Sequence, residues 1–491
     1  MKKSRAVAVT GVAAALVALT ATTAGTAAAS ASARPPQGPS SSATPYLLPS
    51  VAGATTTSIL TVGDSVGGYR MAGIPDGLGA FDNGDGTFTL VVNHELSAGL
   101  GAIRAHGANG AFVSRWVVDK PTLKVLSGSD QITKVLDWQN GAWVPSTTQF
   151  SRFCSGDLAP VSAFYDDDSR LGTRDRIYLN GEETGAEGRA VAHVLTGKDA
   201  GTSYVLPWLG RFSWENAVAK PGYGKRTVVI GTDDSTPGQV YVYVGEKRRT
   251  GNAVERAGLV GGKVYGIKVD GIAKEVDDVR IAQGTQRAFS LVALGADGDV
   301  SGLTGAQLQA DSVAKGISEM ARPEDASWDP SDKRGLYVAM TNAFAAPSRL
   351  WHFEFDRSRD VLAGGTATVV VQGPADPAAG PHMLDNLTVN DRGQVLLQED
   401  VGNNAYLGGV WRYDPADGSV ARVAQHDPAR FVTGGASFLT QDEESSGIIP
   451  APFLGKGAYL LDVQAHYATD AETVEGGQLV LLTLDEKKRR S

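Results

Sequence analysis

From about residue 55 onward the chain reads as short β-rich runs separated by Gly, Asp and Asn turns. Residues 87–92, 176–179, 226–230 and 239–244 are predicted strands, followed by 335–339, 350–355, 394–397 and 409–413. The turns between them carry the residues that tolerate tight backbone, as in Asn83-Gly-Asp-Gly86, Asp391-Arg-Gly393 and Asp414-Pro-Ala-Asp-Gly418. Helical periodicity is rare, and 305–315 is the best candidate. Many short strands spread over more than 400 residues predict an all-β fold, a β-propeller first and a large sandwich second. No strict repeat is visible, so the blades of a propeller are diverged.

Composition refines this picture in three ways. With 491 residues and 42% hydrophobics the chain has ample core, and the absence of a compositional break after residue 50 makes 46–485 one domain. The formal net charge of −9 argues against nucleic-acid binding and suits clustered carboxylates that hold cations. The first 33 residues read as a cleavable signal peptide: Lys2, Lys3 and Arg5 precede an Ala-rich run ending in the small residues Ala29-Ser-Ala31-Ser-Ala33. No other run is long and apolar enough to span a membrane, so a secreted protein without a membrane anchor is expected. Residues 34–45 read as a flexible lead-in and 486–491 as a frayed tail. A single cysteine, Cys154, leaves no internal disulfide.

Candidate chemistry collects in acidic strand ends. The run 90–92 leads into Asn93-His94-Glu95, 177–179 into Asn180-Gly-Glu182-Glu183, and 395–397 into Gln398-Glu399-Asp400. Asp442-Glu-Glu444 resembles these, and Asp233-Asp234 is a more turn-like case. In a propeller such ends meet around one axial pocket, where crowded carboxylates call for a polyvalent cation. Arg322-Pro-Glu324 adds a guanidinium and a carboxylate two residues apart, on one side of an extended segment, suited to an oxyanion and a cation respectively. Cys154, in Arg152-Phe-Cys-Ser-Gly, is open to two readings, a small buried hydrophobe or a thiolate ligand to iron or zinc with Arg152 beside it. His94 is a ligand or points away by alternation. The Asp82/Asp85 turn and the run 166–168 lack the full spacing of a calcium loop. Phosphate-cradling Gly-Lys-Ser/Thr, Gly-x-Ser-x-Gly and His-Glu-x-x-His motifs are missing.

Taken in order, Pro75-Asp-Gly-Leu-Gly-Ala-Phe, Leu-Val-Val-Asn-His-Glu95, Arg-Phe-Cys154-Ser-Gly-Asp-Leu, Leu-Asn-Gly-Glu-Glu183, Ala-Arg322-Pro-Glu324-Asp and Asp385-Asn-Leu-Thr-Val resemble the PhoX-type alkaline phosphatases. The resemblance runs from about residue 70 to about 400. It implies a six-bladed β-propeller whose axial site holds iron and calcium and hydrolyses small phosphate monoesters. It further implies that Cys154 ligates iron, that Glu324 and one or both of Glu182 and Glu183 bind metal, and that Arg322 holds the substrate phosphate; Arg322 and Glu324 are the expected catalytic residues, and Arg152 is expected to bind substrate beside Arg322. Glu95 and Glu399 or Asp400 complete the implied metal set. A monomer is expected. Two other readings stay open: a calcium-only propeller hydrolase acting on phytate, a phosphodiester or a lactone, and a non-catalytic calcium-stabilised binding propeller. Neither has a use for a thiolate at Cys154.

Overall fold

The computed structural model describes residues 36–485, apart from 237, 277, 279 and 345. The expected signal peptide (1–33) and tail (486–491) lie outside the described residues. Strands dominate, and each sequence-predicted strand is present, usually a residue or two longer: 87–92 grows to Thr87–His94 and 226–230 to Arg226–Asp233. The one predicted helix spans Gly305–Lys315, capped by Thr304 at its start and by the left-handed Gly316 at its end.

The strands form six antiparallel blades, each of four strands ordered from the axis outward. The inner strands are Pro75–Asp82, Phe153–Asp157, Trp214–Ala219, Pro323–Trp328, Leu384–Val389 and Glu443–Pro450. Each lies against the next, and Glu443–Pro450 returns to Pro75–Asp82, so the ring closes. Leu47–Pro49 adds a fifth strand to the fifth blade, and two larger additions disguise the repeat. A hairpin, Lys134–Gln139 with Ala142–Ser146, extends the second blade, and Gln286–Ala293 joins the third blade to the fourth.

Each blade is sandwiched between two others, which explains why its strands read as nearly continuous apolar runs. Leu460 packs with Leu78, Leu90, Trp116 and Leu479 between the sixth and first blades, while its neighbour Leu461 faces the fifth blade with Leu396, Val410 and Val480. Six apolar clusters fill the six gaps in this manner. The ring is latched by Thr55–Thr61, an early segment that pairs with Glu475–Thr483 as the outer strand of the last blade. The lead-in expected to be flexible is fastened to this latch instead. Gly38 N–H donates to Ser58 O at 2.9 Å, Ser58 N–H donates to Pro36 O at 2.9 Å, and Ser41 is buried. Its Pro- and Ser-rich composition hid a segment ordered by backbone bonds.

Because the sixth gap is closed by strands from both ends of the fold, Leu460→Ala is expected to cost about 2–5 kcal/mol of unfolding free energy, the range for an emptied core leucine. Denaturant unfolding measures it. A loss under about 1 kcal/mol would show that the closure gap carries little of the stability.

Candidate metal centre

One geometric device recurs at the same end of the inner strands. In five blades, pairing with the second strand slips between the first and fourth residues: Pro75/Leu78, Phe153/Gly156, Trp214/Ala217, Pro323/Ala326 and Leu384/Leu387. Such bulges re-aim a side chain. The residue after the first in each is Asp76, Cys154, Glu215, Glu324 or Asp385. Glu444, second residue of the sixth inner strand, joins them around the axis. Four second strands each deliver the acid that follows their last residue: Glu95, Glu183, Asp234 and Asp400. In the first, second, fourth and fifth blades the residue entering the inner strand is left-handed: Ile74, Arg152, Arg322 and Met383, with φ of 49°, 48°, 56° and 46°. That conformation is costly for non-glycine residues, and its reuse shows that the turn from rim to axis demands it.

The result is a cavity of about 60 Å³ lined by nine carboxyl groups, the Cys154 thiol, and the guanidiniums of Arg152 and Arg322. Its ligand-type atoms form four linked triads, each within 4.8 Å: Asp76–Glu95–Cys154, Cys154–Glu183–Glu215, Glu215–Glu324–Asp385 and Asp385–Asp400–Glu444. The Cys154 thiol donates to Glu183 Oε2 at 2.9 Å. Arg322 grips Asp234 through Nε and Nη2 at 2.8 and 2.7 Å and lies 3.0 Å from Glu324. Arg152 pairs with Glu183 and, at 2.8 Å, with Glu95. The two arginine side chains keep 44% and 30% exposure, against 7% for Glu95 and 3% for Glu324, so the cations stand at the mouth and the acids below.

Burial, and then mutual repulsion, push Asp76, Glu215, Glu324 and Asp385 well above the usual carboxylate range. The same causes carry Glu183 and Asp400 up to about 7. Burial followed by Glu183 and Glu95 raises the Cys154 thiol, so the protein alone does not favour a thiolate there. Buried Asp76 Oδ1 has no hydrogen-bond partner among the described residues. Carboxylate oxygens in this excess fit hard cations, and one sulfur among them fits a borderline metal such as iron.

Of the residues singled out from the sequence, Cys154, Glu95, Glu183, Glu324, Asp400, Arg152 and Arg322 meet here. Glu182 and Glu399 do not. Each is the last residue of its strand and points to the opposite side from the acid that follows. Glu182 is buried against Arg189 and accepts from Ser151 N–H at 3.1 Å. Glu399 accepts from His382 N–H at 2.7 Å, and burial pushes it up to about 8. His94 also turns away, onto Ser114 Oγ at 2.8 Å, and burial takes its imidazole down to about 3. Asp82 and Asp85 cap their own turn, through Gly84 and Thr87.

Asp76, Glu215 and Asp385 were given no role from the sequence, and Asp234 and Glu444 were noted only within acidic runs, without being singled out as ligands. A signal existed for the inner-strand members: Pro-Asp76-Gly-Leu, Phe-Cys154-Ser-Gly, Trp-Glu215-Asn-Ala, Pro-Glu324-Asp-Ala and Leu-Asp385-Asn-Leu share a bulky residue, a ligand-type residue and a small or polar one. Below them runs a polar layer that was equally invisible. Asn93 Nδ2 donates to the carbonyl of Cys154 at 2.5 Å, Asn180 donates to Asn93 at 2.9 Å, and His193 bonds to Asn180 at 2.8 Å. This buried chain fixes the backbone that presents the thiol.

Comparison with known proteins bears on what this centre is. The family model described as alkaline phosphatase PhoX matches residues 200–447, just over half of the 491. No curated protein matches the chain in sequence. Among solved structures, Pseudomonas fluorescens PhoX in complex with vanadate, a transition state analogue, superimposes with a TM-score of 0.60 at 16% identity, covering 89% of this chain and 95% of that one. A Penicillium chrysogenum α-L-arabinanase complexed with arabinobiose gives a TM-score of 0.43 at 8% identity, covering 90% and 99%. The α-L-arabinofuranosidase Arb93A of Fusarium graminearum, with an iminosugar inhibitor, gives 0.41 at 9%, covering 84% and 94%. The fold is that of the PhoX structure, a six-bladed propeller, and the chain belongs to the PhoX alkaline phosphatase family.

Proposed function

We propose that this metal-dependent alkaline phosphatase hydrolyses phosphate monoesters at the axial pocket, with iron held at Cys154 and calcium among the carboxylates. The observation that carries this reading is the convergence of nine carboxyl groups and one thiol, below two guanidiniums, in a chain of this family. Iron would be held by Cys154 with Asp76 and Glu95 on one side and Glu183 and Glu215 on the other, and calcium by the all-oxygen sets through Glu324, Asp385, Asp400 and Glu444. Bound cations supply Lewis-acid activation of water and neutralise charge on phosphoryl oxygens.

The chain's own residues do the rest. Arg322 and Arg152 stand where a phosphoryl group enters and present forked N–H donors to its oxygens. Asp234 grips two donors of Arg322 and so orients its guanidinium. A 60 Å³ cavity holds roughly four to six water-sized occupants, room for a phosphoryl group among ions and little more. The alcohol part of the ester then stays outside, which suits small phosphorylated substrates of varied structure. Phosphoryl transfer asks the protein chiefly for positioning and charge stabilisation, and the ring of blades supplies a rigid frame for both. No helix among the described residues is long and apolar enough to cross a membrane. The basic, Ala-rich start of the chain supports export as a secreted protein.

The test is hydrolysis of an aryl phosphate monoester from neutral to alkaline pH, with added calcium and after chelation, beside elemental analysis. Turnover abolished by chelation, in protein that contains iron and calcium, is the expected result. Calcium without iron and no turnover would overturn the reading.

A further inference from the structure

We infer that Gln464 is a positioning residue that holds the metal-binding ring closed where the last blade meets the first. The inference rests on the metal-dependent reading above. Gln464 is fully buried on Ala458–Ala468, directly opposite Glu444. Its Nε2 lies 3.1 Å from Asp76 Oδ2, 3.1 Å from Glu95 Oε2 and 3.3 Å from Glu444 Oε1. One neutral amide nitrogen therefore serves three carboxylates from three separate segments. An ordinary buried glutamine satisfies itself on whatever polar groups are near; this one is shared among acids at both ends of the chain of triads.

The sixth blade explains why an amide is needed. Its pairing slips three residues later than in the other blades, between Ser446 and Ile449, so its bulge carries Gly447 while its axial acid, Glu444, lies before the bulge. A Cβ at Gly447 would meet Asp462 Oδ2 and Asp76 O at 2.8 Å each, so no side chain fits. The bulge of the last blade thus carries no ligand-type group, and Gln464, paired opposite its axial acid Glu444, adds a donor on this side of the axis. By occupying one oxygen of each acid it sets the direction of the other. Asp76 keeps Oδ1 without a partner among the described residues, and Glu95 is clamped between Gln464 at Oε2 and Arg152 at Oε1. Groups that orient ligands in this manner typically change metal affinity 10- to 100-fold when removed.

The experiment strips the protein with chelator, titrates calcium back by calorimetry, follows the thermal midpoint, and measures iron in the protein as purified. Gln464→Met keeps the volume and loses the donor. It is expected to bind calcium about 10- to 100-fold more weakly, because Glu444 loses a donor, and to carry less iron as purified, because Asp76 and Glu95 beside Cys154 lose theirs. Gln464→Lys places a fixed charge among the three acids; stripped of metal it is expected to melt above the wild type and to gain less stability from calcium. A folded Gln464→Met whose calcium isotherm matches the wild type overturns the proposal. If that variant does not fold, Gln464→Lys stabilised by calcium as fully as the wild type overturns it instead. A wild type that binds no calcium overturns the metal reading itself, which separates the two failures.

Discussion

Cys154→Ser is expected to give a folded protein without iron and with hydrolysis lowered at least about 10³-fold. The sulfur belongs to two of the four triads, so its loss opens the ring on both sides. Serine is nearly isosteric and can still donate to Glu183, as the thiol does at 2.9 Å, so the packing around Phe153 has little reason to change. What serine cannot do is ionise. The thiol is already pushed up by burial and by Glu183 and Glu95, and only a cation would reverse that balance; a hydroxyl starts far higher. A structural cysteine predicts something different: about 1 kcal/mol of stability lost, with iron and rate unchanged. Elemental analysis together with the rate on an aryl phosphate decides. Full iron and an unaltered rate would remove Cys154 from the site.

How far the sequence carried this reading depends on which physical signal each feature leaves. Strands buried on both faces announce themselves as apolar runs, so 87–92 and 226–230 were plain from the sequence. The acids at strand ends were visible too, because they break those runs. What alternation left undetermined was the choice within each acidic pair. Alternation puts the two members on opposite sides without saying which side is the axis; Glu183 and Asp400 face it, while Glu182 and Glu399 face Arg189 and His382. The repeat was hidden by unequal spacing: positions 76, 154, 215, 324, 385 and 444 are separated by 78, 61, 109, 61 and 59 residues. The two long gaps hold the hairpin of the second blade and the Gln286–Ala293 strand with the Gly305–Lys315 helix. Glu215 escaped notice for another reason. It sits alone between Trp214 and Asn216 with no second acid to draw attention, and only the ring gives it partners. The PhoX resemblance reached the thiol and the Arg-Pro-Glu motif because those residue types are rare in such combinations. It could not reach Gln464, whose role exists only where strands from the two ends of the fold meet.

Arg322→Ala is expected to lower kcat/KM on a phosphate monoester by about 10³-fold while leaving iron in place. The guanidinium makes a two-point contact with Asp234 and lies 3.0 Å from Glu324, yet its side chain keeps 30% exposure, so it faces both the acids and the entering substrate. On the proposed reading, removing it deletes an oxyanion donor and leaves Asp234 and Glu324 to repel the entering phosphate. Arg322→Lys keeps the charge and loses the fork, and is expected to recover part of the loss, to about 10²-fold below wild type. The left-handed backbone at Arg322, with φ of 56°, disfavours both replacements alike, so the difference between them reports on the side chain alone. Inhibition by inorganic phosphate separates the two jobs this arginine could have. If it grips substrate, phosphate inhibits the alanine variant far more weakly and KM rises with the fall in kcat. If it serves only to clamp Asp234, phosphate inhibition stays as in wild type and activity falls in step with lost metal; the phosphate contact would then pass to Arg152 across the mouth.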